Sequence, residues 1–457
     1  MAERLHEIDM LSGRPLPGIL RFSLPLAASS MLQLLFNAAD IIVVGKFVGA
    51  TALAAVGSNG SLVGLLVGLF VGISVGVNVT VARMVGNRDD AGIRRAVHTS
   101  VTMAAVLGVA VALAGGALAQ PLLRLMRAPE DVLPLASLYL RIYFFGVPAT
   151  MLYNFCAGVL RAYGDTKRPF WFLSAAGVVN VILNLFFVIV LKIGVAGVAL
   201  ATVISQAVSC VLVIRCLTRI SGPAHLDLRR LQFDAASALQ IVRIGVPAGM
   251  QTVLLSVSNM VIQSSVNSFG AAVVAGNSAA INVEGFLNAA SASVSHAAIT
   301  FISQNCGARR LDRLRIISAD CMAAVALIGL PLAAALLIFG RQVLGIYVSS
   351  SDPAFETVIG TGLLRIRYVG IFQILCGAMH TAAGLVRGLG KSWPPMVTAL
   401  VCTVILRIVW VGTVFRAVGT LPSLYISYPI SWTITIALHL TCFFLFSARM
   451  RRAASAA

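Results

Sequence analysis

The sequence predicts an all-α polytopic membrane protein, with twelve transmembrane helices in two six-helix bundles. Three observations lead to this fold class. The chain of 457 residues is 59% hydrophobic and only 11% charged, whereas a soluble domain carries about 25% charged residues. Apolar runs of about 20 residues, enough to cross the hydrocarbon core of a bilayer, recur from Ile19 to the C-terminus. In addition, a motif of the first half of the chain returns in the second half.

The repeated motif reads AGVLRAYGDTKRP at residues 157–169 and AGLVRGLGKSWPP at residues 383–395. Other pairs, Pro25 with Pro247 and Gly86 with Gly307, keep nearly the same offset. A repeat of this size in an apolar chain is typical of secondary transporters. The expected domains are an N-terminal six-helix bundle, a cytoplasmic linker and a C-terminal six-helix bundle, at residues 1–217, 218–238 and 239–457.

Apolar runs and their charged or Gly/Pro flanks place six helices in each half. In the first half they are predicted at residues 18–44, 52–82, 93–118, 132–160, 170–191 and 194–217. In the second half they are predicted at residues 240–266, 273–304, 314–340, 356–386, 394–415 and 422–446.

The distribution of Lys and Arg predicts the orientation of the chain. With the N-terminus inside, 24 of the 34 basic residues fall on the cytoplasmic face and six on the outer face, as the positive-inside rule requires. Both termini are therefore expected in the cytoplasm, at the inner membrane of a bacterial-type cell. Because each repeat has an even number of helices, the two bundles should be related by a pseudo-twofold along the membrane normal.

Composition also excludes several function classes. The net charge of +18 is dispersed between apolar runs, and nucleic-acid binding would require the basic residues to share one face. The eight cysteines form no CxxC pair and are interpreted as buried thiols. The chain has neither a GxxxxGK[ST] phosphate loop nor a catalytic Ser/His/Asp or HExxH pattern. We therefore expect no enzyme and no cofactor, and transport must draw on an ion gradient.

Asp40 is the most informative single residue. It lies in the apolar run LLFNAADIIVV, and the nearest basic residue is Lys46. A carboxylate at membrane depth is costly, so such residues usually face a cavity and serve a function. Counted from the outer end of its helix, Asp40 is about 6 Å deep, and Asn37 shares its helical face. The alternative is a helix-end carboxylate that simply reaches water.

Three further polar residues are predicted near the same depth. Asn180 and Asn184 are four residues apart and share a face of the fifth helix. Asn184 should lie about 10 Å and Thr202 about 12 Å from the outer surface. The alternative is that these side chains only join helices by hydrogen bonds.

In the second half, Glu284 is expected near the midplane, where it could attract a cationic substrate, take up a proton, or pair with an intramembrane arginine such as Arg407. Arg407 could instead bind an anionic group of a substrate. His296 suits a proton relay or a hydrogen-bonded core position. Arg365 is expected to snorkel to the outer surface.

Pro25 and Pro247 occupy corresponding places in the first helix of each half. Proline removes one backbone hydrogen bond and kinks a helix. Both helices could therefore bend between states, although packing without bending is equally compatible with the sequence.

Four segments resemble the multidrug and toxic compound extrusion (MATE) transporters of the multidrug/oligosaccharidyl-lipid/polysaccharide flippase superfamily. They are NAADIIVVGKFVGATALAAVG from Asn37, AGVLRAYGDTKRP from Ala157, NVILNLFF from Asn180 and QNCGARR from Gln304. The resemblance implies two bundles in an outward-opening V, and export of organic, often cationic, compounds against inward flow of protons or sodium ions.

The resemblance also implies a proton or cation site. Asp40 and Asn180 match the family pattern, and Thr202 stands where some members use Thr. Asn184 departs from it, because the usual residue there is Asp. With one carboxylate fewer, proton coupling through Asp40 is favoured over a sodium site formed by Asp40, Asn180, Asn184 and Thr202.

These observations predict an antiporter that exports amphipathic, cationic organic compounds or drugs by alternating access. Its partners would be a small organic substrate and membrane lipid, and the protein would be a monomer. The alternative is a flippase for a lipid-linked saccharide. A flippase of that kind should have a cavity lined by several cationic residues that hold a pyrophosphate.

Overall fold

The computed structural model describes residues 8–126, 129–348 and 352–456, which are almost entirely helical. The expected cytoplasmic N-terminus, at residues 1–7, lies outside the described residues. The helices of the first half are α1 (Pro15–Phe47), α2 (Ala50–Asn87), α3 (Asp90–Leu125), α4 (Leu133–Ala162), α5 (Lys167–Leu185) and α6 (Gly194–Arg219). A π-helical turn, Phe186–Val190, extends α5.

The second half has more interruptions. Its helices are α7 (Ala235–Val266), α8 (Ala271–Gly307), α9 (Leu314–Gly345), α10 (Phe355–Arg365), α11 (Gln373–Gly388), α12 (Trp393–Ala399), α13 (Leu406–Trp410), α14 (Arg416–Val418), α15 (Leu421–Tyr425) and α16 (Ser427–Ala456). The π-helical turns Leu400–Ile405 and Val411–Phe415 join α12, α13 and α14 into one span.

The predicted fold class is confirmed. Within the described residues, ten helical segments are long and apolar enough to cross a membrane, and α10 with α11 gives an eleventh if this bent pair is one span. Helix α8 is not among them, because Ser, Asn and Glu side chains interrupt its 37 residues. With α8, each half contains six long helical segments, close to the predicted positions.

The tenth helix was predicted to be continuous over residues 356–386, and this was wrong. The segments Phe355–Gly370 and Gln373–Gly388 meet at an angle of 41°. The π-helical turn Ile366–Gly370 precedes the bend, and there the N–H of Ile371 bonds the carbonyl of Ile366, five residues back. Such insertions change the helical register locally and are a recognised cause of kinks.

The repeated glycines have the same packing role in both halves. A Cβ atom added to Gly158 in α4 would lie 3.1 Å from the carbonyl oxygen of Ser74 in α2. A Cβ added to Gly384 in α11 would lie 2.7 Å from the carbonyl oxygen of Ser295 in α8. Glycine lets the helix backbones approach closely at both places. The internal repeat in the sequence is therefore a repeat in structure.

Contacts divide the chain into two compact units. The N-terminal unit contains Ala28–Val246, and the C-terminal unit contains Asp9–Ala27 and the chain from Pro247 onwards. The divisions fall just after Pro25 and directly before Pro247. The beginning of α1 thus belongs to the C-terminal unit, and the beginning of α7 belongs to the N-terminal unit. The predicted domains follow the order of the chain and do not include this exchange.

Hydrogen bonds explain why the residues before α1 belong to the C-terminal unit. The guanidinium of Arg313 donates to the carbonyl oxygens of Ser12 and Gly13, at 3.1 and 2.7 Å, and also to that of Leu11. The amide of Asn305 donates to the carbonyl of Met10 at 2.9 Å. These bonds satisfy backbone carbonyls ahead of the helix, which would otherwise need water.

The segment before α7 is held in the same way within the N-terminal unit. The N–H of Asp234 donates to the hydroxyl of Thr99 in α3 at 2.9 Å. The carboxylate of Asp234 accepts hydrogen bonds from the N–H and hydroxyl of Ser237, at 2.8 and 2.6 Å. These two bonds lower the pKa of Asp234 below its ordinary value.

Candidate functional site

A chain of hydrogen bonds joins three of the predicted site residues in the N-terminal unit. The side-chain amide of Asn184 in α5 donates to the carboxylate of Asp40 in α1. The same amide nitrogen lies 3.3 Å from the side-chain oxygen of Asn180 and donates to it. Their spacing of four residues puts both asparagines on one face of α5, and both are buried. The structure therefore brings Asp40, Asn184 and Asn180 together.

A glycine allows α5 to approach α1 at this place. Gly177 lies two turns before Asn184, and a Cβ atom there would be 1.8 Å from the ring of Phe36 in α1. Any other residue would push the ring or the helix away. Gly177 thus keeps Asn184 within hydrogen-bond reach of Asp40.

The electrostatics of the site are unusual for a membrane span. Among the described residues, Asp40 takes part in no ion pair. The side-chain oxygen of Asn184 is buried, and no hydrogen-bond donor reaches it within the described part of the chain. Within the described part of the chain, a carboxylate without a cationic partner therefore lies beside an amide oxygen that accepts no hydrogen bond. Both groups are hydrogen-bond acceptors, so the site suits a proton or a hard cation.

The other two predicted residues of this site are placed differently. The hydroxyl of Thr202 donates to the carbonyl of Val198 in its own helix at 3.0 Å, and none of its described hydrogen bonds reaches Asp40. The side chain of Asn37 is exposed. Sequence reasoning missed Gly177, which lets α5 approach α1 at this site. One glycine in an apolar helix carries no sequence signal of such a role.

The C-terminal unit contains a cavity of about 350 Å³. Side chains of α7, α8, α11, α13 and α16 and of the α10 region line it. Glu284 and Arg407, two of the predicted cavity residues, are part of this lining. His296 is not, and His380 is the histidine that faces the cavity.

Glu284 forms a buried, bidentate ion pair with Arg365. The Nε and Nη2 atoms of Arg365 donate to the two carboxylate oxygens at 3.1 and 2.9 Å. The side chains are only 7% and 4% exposed. The third guanidinium nitrogen donates to the side-chain oxygen of Asn277 at 3.0 Å. The expectation that Arg365 snorkels was wrong, because its position near a helix end does not reveal that it points inwards.

Arg407 is buried without an acidic partner among the described residues. Its guanidinium donates to the side-chain oxygens of Ser258, Asn259 and Ser431 at 3.1 to 3.3 Å. The same group lies 4.0 Å from the ring centroid of Tyr428, a cation–π contact. All four partners are neutral.

The prolines of α1 and α7 lie inside continuous helices, Pro15–Phe47 and Ala235–Val266. Each is close to the point where the chain passes from one unit to the other. Bending at Pro25 and Pro247 remains a prediction.

Comparisons with known proteins agree with the internal repeat. A family model described as MatE matches residues 25–186 and 247–411. The chain is 28% identical to the probable multidrug resistance protein YpnP of Bacillus subtilis (strain 168) over 399 residues, which cover 87% of this chain and 88% of that protein. It is 22% identical to the multidrug export protein MepA of Staphylococcus haemolyticus (strain JCSC1435) over 439 residues, 95% of this chain and 94% of the relative.

Solved structures show the same fold. An outward-facing multidrug resistance MATE family transporter of the MOP superfamily aligns with a TM-score of 0.89 at 22% identity. The alignment covers 99% of this chain and 100% of the other.

Proposed function

This chain belongs to the MatE family of membrane transporters, and from that premise we propose that it is a proton-coupled antiporter that exports amphipathic organic compounds. Its relatives are multidrug resistance and export proteins, so drug export is the general activity. The proposal adds the coupling ion and its carrier, Asp40. It also places the protein as a monomer in the inner membrane of a bacterial-type cell, with both termini in the cytoplasm and no cofactor.

The observation that carries proton coupling is the pairing of Asp40 with Asn184. A protonated carboxyl group and a primary amide are complementary, since each has one donor and one acceptor side by side. The amide N–H of Asn184 already donates to Asp40, and the buried side-chain oxygen of Asn184 accepts no hydrogen bond from the described residues. A proton on Asp40 would supply that donor and complete a neutral, doubly hydrogen-bonded pair.

A neutral pair of this kind is well suited to a membrane span. It holds a proton without placing a net charge in the low-dielectric interior, where a lone carboxylate is costly. When the site opens to water, the carboxylate can ionise and keep the hydrogen bond from Asn184. A second carboxylate at position 184 would lack the amide donor. The departure from the family pattern at Asn184 therefore favours a proton over sodium.

The kind of substrate is proposed in broad terms. The resemblance predicts cationic compounds, and the apolar side chains of the C-terminal cavity suit amphipathic ones. Glu284 gives no attraction for a cation in this structure, because Arg365 neutralises it. The same pair weighs against a flippase for a lipid-linked saccharide. Of the two cavity arginines only Arg407 is free of an acidic partner among the described residues, and a pyrophosphate group needs several cations.

Counterflow in proteoliposomes tests the proposal. Ethidium transport would be driven separately by a pH gradient and by a sodium gradient, for the wild type and for Asp40→Asn. We expect transport with the pH gradient and its loss in Asp40→Asn. Asp131→Asn is the matched control, because it removes an exposed loop carboxylate and should leave transport unchanged.

A further variant, Asn184→Asp, restores the second carboxylate of the family pattern. It should weaken the response to the pH gradient and introduce a response to sodium. Wild-type transport that requires sodium and ignores the pH gradient would contradict proton coupling. No transport under either gradient would bring the flippase forward as the better explanation.

A further inference from the structure

The cavity of the C-terminal unit carries a net positive charge. Its charged lining residues are Glu284, Arg365 and Arg407, and the carboxylate of Glu284 is fully engaged by Arg365. An imidazole is ordinarily neutral above pH 7, so His380 adds no charge there. One positive charge, that of Arg407, is therefore left without a counter-ion among the described residues.

Burial makes this charge chemically significant. Arg407 is 2% exposed and lies in a membrane-spanning segment. Its four described hydrogen bonds use four of the five N–H donors of a guanidinium. Neutral acceptors satisfy those donors but do not cancel the charge, and an uncompensated buried charge costs several kcal/mol. An anion entering the cavity would remove that cost.

We propose that the C-terminal cavity binds the anionic group of an amphipathic molecule at Arg407. The shared chemistry is a carboxylate, sulfonate or phosphate on an apolar body, carried either by an exported organic acid or zwitterion or by an acidic lipid. The inference rests on the proposed export function, which supplies the class of molecule that would be transported. The binding site itself is argued only from the cavity.

The walls of the cavity suit such a molecule. Tyr428 and Trp432 form an edge-to-face aromatic pair, with ring centroids 5.6 Å apart, on the wall that carries the guanidinium. Leu255, Ile262 and Met379 add apolar surface. A volume of about 350 Å³ holds a compound of two or three fused rings, at the small end of the range of ligand sites. The Glu284–Arg365 ion pair also lines this cavity. Because the pair has no net charge, it would repel neither the anionic nor the cationic group of a zwitterion.

A matched pair of fluorescent probes tests the site. The probes are 7-(diethylamino)coumarin-3-carboxylic acid and its 3-carboxamide, which have nearly the same shape and differ by one negative charge. Binding to the purified full-length protein in phosphatidylcholine nanodiscs is measured by coumarin anisotropy, with protein-free nanodiscs subtracted. We expect the wild type to bind the acid about tenfold more tightly than the amide, as a charge-assisted hydrogen bond provides.

Variants assign the preference to Arg407. Arg407→Gln should bring the acid-to-amide ratio close to one, and Arg407→Lys, which keeps the charge but not the fork of donors, should retain part of it. Arg367→Gln is the matched control, because Arg367 is an exposed arginine only two residues from Arg365. It should keep the wild-type ratio.

A second arm identifies the source of the anion. If adding phosphatidylglycerol to the nanodiscs weakens binding of the acid but not of the amide, the occupant is an acidic lipid. If it changes neither, the occupant is a soluble acid.

Two results would overturn the proposal. The first is equal binding of the acid and the amide by the wild type, which can be measured even if Arg407→Gln does not fold. The second is a preference for the acid that persists in a folded Arg407→Gln variant. Ethidium counterflow tests the export function independently, so the two proposals can fail separately.

Discussion

Replacing Glu284 by Gln leaves the buried guanidinium of Arg365 without its counter-ion. The side chains are almost the same size, so the change removes charge and not volume. Arg365 would keep the hydrogen bond to Asn277, but Gln can accept only one of the two bonds that the carboxylate now accepts. The positive charge of Arg407 lies on the same cavity and would then add repulsion.

The expected cost follows from this burial. Removing one partner of a buried ion pair typically destabilises a protein by about 3–5 kcal/mol. With side chains 4% and 7% exposed, this pair should fall in that range. Removing both charges, in Glu284→Gln/Arg365→Gln, should cost much less than the two single changes together, with a coupling energy of about 2–3 kcal/mol.

Unfolding by SDS in mixed micelles, followed by circular dichroism, measures these free energies. The matched control is Glu356→Gln. The carboxylate of Glu356 lies 2.6 Å from the guanidinium of Arg341, but the side chains of Glu356 and Arg341 are 71% and 56% exposed. A surface pair contributes about 0–1 kcal/mol. The reasoning is refuted if Glu284→Gln costs no more than Glu356→Gln, or if the effects in the double variant are additive.

Three further changes test other parts of the fold. A Cβ at Gly76 would lie 2.1 Å from a carbonyl oxygen of α7, so Gly76→Ala should destabilise the N-terminal unit by about 1–3 kcal/mol. The control is Gly64→Ala, because a Cβ at Gly64 would have open space around it. This change should be neutral or slightly stabilising in the same SDS titration. Arg88 has a left-handed φ of 55°, so Arg88→Gly should raise stability by up to about 1 kcal/mol; a loss would show that its side chain matters more than its backbone strain. Ser237 lowers the pKa of Asp234 from 3.8, so the stabilisation that this carboxylate gives to the start of α7 is present above pH 3.8 and is lost as the pH falls through the lowered value. The protection of the first turn of α7 against hydrogen exchange, taken relative to the intrinsic rate at each pH, should decrease there, and Asp234→Asn should remove this pH dependence.

Hydropathy predicted most of the fold, because the bilayer leaves a chain few choices. Backbone groups in hydrocarbon must be satisfied within the segment, so a long apolar run becomes a helix. For this reason the predicted helices at residues 93–118 and 194–217 lie within α3 and α6 as observed. The bend between α10 and α11 was missed, because a π-helical insertion needs no special residue.

Local spacing also predicted part of the candidate site. Asn180 and Asn184 share a face at any depth, since four residues make about one helical turn. A lone Asp in an apolar run was already a functional candidate, because its burial has to be compensated. Thr202 was assigned by its depth and by the family pattern, and neither says which way its side chain points in this chain.

The amino-acid sequence by itself determined the membrane-spanning helices, the internal repeat and the family, because these depend on composition and on spacing along one chain. Only the tertiary structure decided which charges meet. Glu284 and Arg365 are 81 residues apart, and the pairing of Asp40 with Asn184 spans 144 residues. Hydrophobic burial is nearly independent of direction, whereas an ion pair or hydrogen bond requires two atoms within about 3 Å. That distance is set by the packing of helices far apart in sequence, which no local pattern records.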